Sequence, residues 1–151
     1  MIISDSTTLI ILSDLERFDL LSNLFEEVFV PQSVYEEITI KKPLDNTSFI
    51  SIRQAADTEL LNTLYALLDK GESEAIALAM EMGLPLIIDE KKGRKIARNH
   101  GVKIIGLLGI LYLNIKKDYL NETEARTFLK EAIAHGYRIS QQLIEEMFKR
   151  L

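Results

Sequence analysis

The chain has 151 residues, 47% of them hydrophobic and 27% charged, which gives one domain enough apolar material to bury a core without disulfide or zinc support. The absence of cysteine excludes disulfides and thiolate metal sites and makes a cytoplasmic setting the expectation, while a net charge of −5 argues against coating nucleic acid by bulk electrostatics. No apolar run reaches the ~18 residues of a membrane helix, and Asp5 breaks the N-terminal apolar stretch before a signal-peptide core could form.

In chain order, Met1 to Ser4 reads as a short buried strand, and Asp5-Ser6-Thr7 supplies capping groups for a helix carried by Leu9, Ile10, Leu12 and Leu15. A second amphipathic stretch follows with Phe18, Leu20, Leu21, Leu24 and Phe25. Val28 to Val30 is a strand, and Pro31, favoured at the first helical position, opens a helix to Ile38 that carries Glu37. Lys41 to Thr47, with Pro43, Asp45 and Asn46, is turn chemistry, and Phe49 to Ile52 is a marginal extra strand. Thr58 to Leu68 is helical, with a break at Gly71. Glu72 to Met82 is a small-residue helix, apolar on most sides and therefore central, closed by Gly83. Pro85 precedes the strand Leu86 to Ile88, and Asp89 opens a basic helix that ends near Gly101. The strand Val102 to Ile105, a helix over 107–117 and two closing helices over 122–135 and 140–150 complete the chain. Short apolar strands alternating with helices predict an α/β fold with a parallel sheet covered on both faces.

Four acids, Asp5, Glu37, Glu72 and Asp89, fall where a strand hands over to a helix or just inside the helix that follows. In a parallel sheet those edges lie together, so the four would converge on one cleft. At about 4 Å two like charges repel by roughly 4 kcal/mol at an effective dielectric of 20, so such a cluster calls for a divalent cation, Mg²⁺ or Mn²⁺. Each acid also has an ordinary explanation. Asp5 and Asp89 suit helix N-caps, Glu72 suits the positive end of a helix, and Glu37 suits a solvated helix face. Glu36, Glu74 and Glu90 stand beside the chosen acids, and the spacing alone does not separate them. Lys91, Lys92, Arg94, Lys95 and Arg98 put five cations into eight residues, either as a solvated helix face or as a contact for a polyanion. His100 and His135 lack metal-ligand spacing, and Ser6, Thr7 and Thr8 after Asp5 do not form the acidic loop of a phosphate acceptor.

Asp5 with Ser6-Thr7, Pro31-x-x-Val34-x-x-Glu37-Ile38, the segment Gly71-Glu72-Ser73-Glu74-Ala75-Ile76-Ala77-Leu78-Ala79, and Leu86-Ile87-Ile88-Asp89 together resemble the landmarks of PIN domains. The resemblance covers nearly the whole chain and extends to small prokaryotic PIN-like proteins related to the VapC toxin ribonucleases. It implies a three-layer α/β/α sandwich over residues 1–151 with a central parallel sheet of four or five strands. The closing helices would pack on the core or on a partner in a homodimer. The family acids fall on Asp5, Glu37, Glu72 and Asp89. Glu72 is one methylene longer than the usual Asp, and Ile87 replaces a common Thr two residues before the last acid, which leaves Glu90 as the candidate support.

The implied activity is Mg²⁺- or Mn²⁺-dependent hydrolysis of RNA. Asp5 and Asp89 would be the innermost ligands, and Glu37 and Glu72 would hold outer waters or a second ion and take up the attacking water's proton. The five cations of the basic helix would guide the RNA backbone, and an antitoxin protein would be the partner. The contrasting expectation is a catalytically silent PIN-like module that binds nucleic acid or protein.

Overall fold

The structure is a computed structural model that describes residues 1–41, 43–44 and 47–151. Among these residues, five short parallel strands form one sheet: β1 (Ile2–Ser4), β2 (Val28–Val30), β3 (Ile50–Ile52), β4 (Leu86–Ile87) and β5 (Ile104–Ile105), in the order β3-β2-β1-β4-β5. The helices are α1 (Ser6–Asp14), α2 (Asp19–Ser22), α3 (Gln32–Thr39), α4 (Glu59–Leu67), α5 (Lys70–Met82), α6 (Lys91–Asn99), α7 (Leu107–Lys116), α8 (Glu122–Ala134) and α9 (Gln141–Lys149). The expected turn over Lys41 to Thr47 rests partly on Asp45 and Asn46, which lie outside the described residues.

Successive strand residues point to opposite faces, so each strand feeds two cores. Ile2, Val28, Val30 and Ile87 pack with apolar residues of α1, α2, α3, α7, α8 and α9. Ile3, Phe29, Leu86 and Ile88 pack with α4, α5 and α6. The result is a three-layer α/β/α sandwich. In α5, every residue from Gly71 to Ala79 is buried, and the alanines at 75, 77 and 79 let this helix lie close to the sheet and to α4. Gly83 ends α5 in the left-handed conformation, with φ 64°. Of the apolar residues on the closing helices, Phe128, Leu129, Ile144, Met147 and Phe148 enter the first core, whereas Ile133 and Leu143 are exposed.

Strand order creates the position for a site. From β1 the chain moves to β2 on one side, and after β3 it crosses through α4 and α5 to β4 on the other side of β1. The carboxyl ends of β1 and β4 therefore flank a topological switch point, where open α/β sheets form a crevice. Ser4 pairs with Ile87 across these strands, and the Asp5 N–H donates to the Ile87 carbonyl at 2.9 Å, so both strands end level.

Three local expectations differ from the structure. Pro31 is the residue before α3 rather than its first helical residue, since its ψ of 156° is extended. Gly71 does not break a helix: α4 ends at Leu67, the extended backbone of Leu68 turns the chain, and Asp69 caps α5 so that Gly71 lies inside it. Glu72 thus follows a helix–helix corner, not a strand. The stretch from Phe18 to Phe25 forms only the four-residue α2 before the chain leaves helical geometry.

Candidate active site

Asp5 occupies the N-cap position of α1, yet its side chain does not cap the helix in the usual way. It is only 4% exposed, and its carboxyl is pushed up to about 7, first by burial and then by the nearby carboxylates of Asp69, Glu37 and Asp89, against the lowering effect of the Ser6 N–H. Three acids from three other segments thus act on this one carboxyl.

Glu37 reaches the same place from α3. Its Oε2 accepts a hydrogen bond from the Ser6 hydroxyl at 2.9 Å, while a Cβ placed on Gly71 would lie 3.5 Å from its Oε1 and 3.6 Å from Asp5 Oδ1. Gly71 is therefore the floor shared by these two acids. One residue on, Glu72 is buried, with its carboxyl pushed up to about 9 by burial first, then by Asp69, Asp5 and Glu90. Its Oε2 is the one buried side-chain oxygen or nitrogen among the described residues that lacks a hydrogen-bond partner. That oxygen lies against Gly93 of α6, where an added Cβ would come within 2.7 Å of it. A buried carboxyl oxygen left without a donor costs stability, so its retention calls for an explanation.

Sequence reasoning misses Asp69. Its side chain accepts the Glu72 N–H at 2.8 Å as the cap of α5, and its charge acts on both Asp5 and Glu72. A signal for it exists: an Asp three residues before Glu72 is an N-cap pattern, concealed when Gly71 is taken as a helix break.

Asp89 follows β4 and does not cap the basic helix. Glu90 takes that role, accepting from the Lys92 N–H at 3.5 Å. The Asp89 carboxylate turns instead to α7, where the Leu107 N–H lies 3.2 and 3.3 Å from its two oxygens. The Thr8 hydroxyl donates to Oδ2 and the Tyr137 hydroxyl to Oδ1 at 3.0 Å. A Cβ on Gly106 would come within 2.6 Å of Oδ1 and 2.9 Å of an Arg94 nitrogen, so the glycine leaves room for both groups. Ile87, where the resemblance expects a Thr, is buried, and the hydroxyls that reach Asp89 come from Thr8 and Tyr137.

The neighbouring acids separate once packing is seen. Glu74 accepts from the Ser33 hydroxyl and from the Tyr65 hydroxyl at 2.5 Å, which ties α3 and α4 to α5. Glu36 is exposed and pairs with the Gln32 side-chain amide at 3.2 Å. Glu90 stays near enough for its charge to act on Glu72. On α6, Lys91, Lys92, Lys95 and Arg98 are exposed, Arg94 is half-buried beside Gly106 and Asp89, and Gly93 and Ala97 face inward.

The donor set consists of carboxylate oxygens, which suit a hard dication such as Mg²⁺ or Mn²⁺. The unpartnered Glu72 oxygen fits a group that compensates negative charge, and the room left by Gly93 is what admits that oxygen. Among the described residues, however, no three Asp, Glu, His or Cys side chains are disposed around one metal position.

No helix in the described residues is long and apolar enough to cross a membrane. No curated protein matches the chain. A family model described as a PIN domain matches residues 1–151, and with that match over its whole length the chain belongs to the PIN-domain family.

Proposed function

We propose that this PIN-domain chain is a divalent-metal-dependent endoribonuclease that hydrolyses phosphodiester bonds in single-stranded or structured RNA. The observation that carries this reading is a pair of buried carboxyls, Asp5 and Glu72, held in one acidic cluster; neither forms an ion pair among the described residues. Asp5 and Asp89 would hold the ion, with Glu37, Asp69 and Glu72 around them. A bound Mg²⁺ or Mn²⁺ supplies charge neutralisation at the phosphate and makes a water acidic enough to attack at neutral pH. Thr8, Tyr137 and the Leu107 N–H orient Asp89, and Ser6 orients Glu37. Glu37 and, once a bound dication has displaced its own proton, Glu72 would take up the proton released by the attacking water. The exposed cations Lys91, Lys92, Lys95 and Arg98, with Arg94 beside Asp89, offer phosphate contacts along α6. On this reading the chain acts in the cytoplasm as the toxin of a toxin–antitoxin pair, as a homodimer countered by an antitoxin protein.

The test is incubation of purified protein with labelled RNA and Mn²⁺ or Mg²⁺, with and without chelator, beside Asp5→Asn. Cleavage lost in both controls supports the proposal, and cleavage that survives both identifies a contaminant. Growth arrest on induction, absent with Asp5→Asn, tests the toxin role. A second reading, a catalytically silent binding module, is favoured by the full set of donors around Asp89. RNA binding without cleavage at any metal concentration would establish it.

A further inference from the structure

We propose that the cavity beside Asp89, walled by the connection between α8 and α9, is a subsite that receives one nucleotide of the RNA strand, its base stacked between the isoleucine wall and the Arg138 side chain. The substrate class rests on the ribonuclease reading above; the subsite itself rests on this cavity.

The cavity measures about 270 Å³ and is lined by Ile10 and Ile11 of α1, by Asp89, and by His135 and Arg138. Its volume lies just under the roughly 300–1,000 Å³ of pockets for drug-sized ligands, which suits a single nucleotide and excludes a duplex. A larger cavity of about 510 Å³ is lined by residues 83–85 and 100–103, which precede β4 and β5 and so lie at the sheet edge opposite the acids.

The wall is built, not incidental. Gly136 has φ 101°, a left-handed conformation that side chains resist, and it reverses the chain between an exposed His135 and a buried Tyr137. Tyr137 points inward, 5% exposed, and fixes the loop to Asp89 through its hydroxyl at 3.0 Å. Its neighbours His135 and Arg138 are exposed at the rim. Their imidazole and guanidinium planes are surfaces on which unpaired bases stack. Ile10, half-buried, and Ile11, buried, also line the cavity and give it an apolar face.

Charge sets the orientation of the nucleotide. Asp89 and Glu90 both line the cavity, so its interior repels a bare phosphate and favours the uncharged base. The attached phosphate would lie outside, toward Arg94 and the exposed cations of α6. A base held here leaves the adjoining backbone at Asp89, one of the two acids assigned to the inner position of the active site.

The test uses the full chain. Backbone amide shifts are followed by NMR during titration with uridine and adenosine 5′-monophosphate in the presence of chelator, and fluorescence anisotropy measures binding of a labelled single-stranded RNA to wild type, His135→Ala, Arg138→Ala and Arg138→Lys. The expected results are shifts at Ile10, Gly136 and Arg138, and affinity lowered roughly tenfold in Arg138→Ala, the scale of removing one base stack. Arg138→Lys would keep the salt dependence and still lose affinity, because a lysine has no plane to stack. Shifts confined to α6, or wild-type RNA affinity in both alanine variants, overturn the subsite. RNA cleavage by a wild-type protein that gives those results leaves the ribonuclease reading intact. Nucleotide shifts at this cavity without any metal-dependent cleavage support the subsite and reject the ribonuclease.

Discussion

Replacing Asp5 with Asn removes one titrating group from the centre of the acidic cluster and nearly preserves its shape. In the folded chain this carboxyl is raised from 3.8 to about 7, chiefly by burial. A raised carboxyl binds its proton more tightly in the native state, so its contribution is fully present below pH ~4 and is lost as pH rises to about 7. The span from 3.8 to about 7 corresponds to roughly 4 kcal/mol at about 1.4 kcal/mol per pH unit. Asn carries no such titration. In urea unfolding with chelator, the wild type should therefore lose stability relative to Asp5→Asn as pH rises from ~4 to about 7, with the full difference reached just above that range. Groups common to both chains cancel in this comparison. At higher pH only a small further term enters, since Asp5 is among the causes that raise Glu72. Mg²⁺ at about 100 times its dissociation constant should then stabilise the wild type by about 2.7 kcal/mol and leave the variant unchanged. A stability difference that does not change with pH would refute the argument, because it would mean that Asp5 ionises in the fold without cost.

Gly93→Ala brings a Cβ within 2.7 Å of both Glu72 Oε2 and Ile88 Cδ1, so both must shift. Helix propensity offsets up to about 1 kcal/mol of that crowding, and melting should change by only a few degrees while RNA cleavage falls on the order of a hundredfold. At Gly71 the nearest atoms lie at 3.3 to 3.6 Å, so Gly71→Ala should retain cleavage within about tenfold; equal falls at the two positions would contradict the assigned geometry. Tyr137→Phe removes one donor from Asp89 and should lower unfolding free energy by about 1.5–3 kcal/mol in urea titrations, with a fall in cleavage. Changing Lys95 and Arg98 together to alanine should make the slope of log affinity against log salt shallower by about 0.7 for each phosphate that these side chains neutralise in the wild type, measured with single-stranded RNA.

Local pattern along the chain is enough to set the alternation of short apolar strands with helices, the parallel sheet, the central place of the small-residue helix α5 and its end at Gly83. It also puts Asp5 and Asp89 at the carboxyl ends of β1 and β4. These features follow from periodicity, chain breakers and capping chemistry, which act over a few residues and so can be read locally. Packing in three dimensions is what separates two glutamates two residues apart: Glu74 is taken up by Ser33 and Tyr65, while the Glu72 oxygen lies against Gly93 without a donor. Packing also brings Asp69 into the cluster and supplies Asp89 with donors 81, 48 and 18 residues distant in Thr8, Tyr137 and Leu107. Hydroxyls and carboxylates so far apart meet only after the sheet has ordered its strands, and no pattern within one helix or strand encodes that meeting.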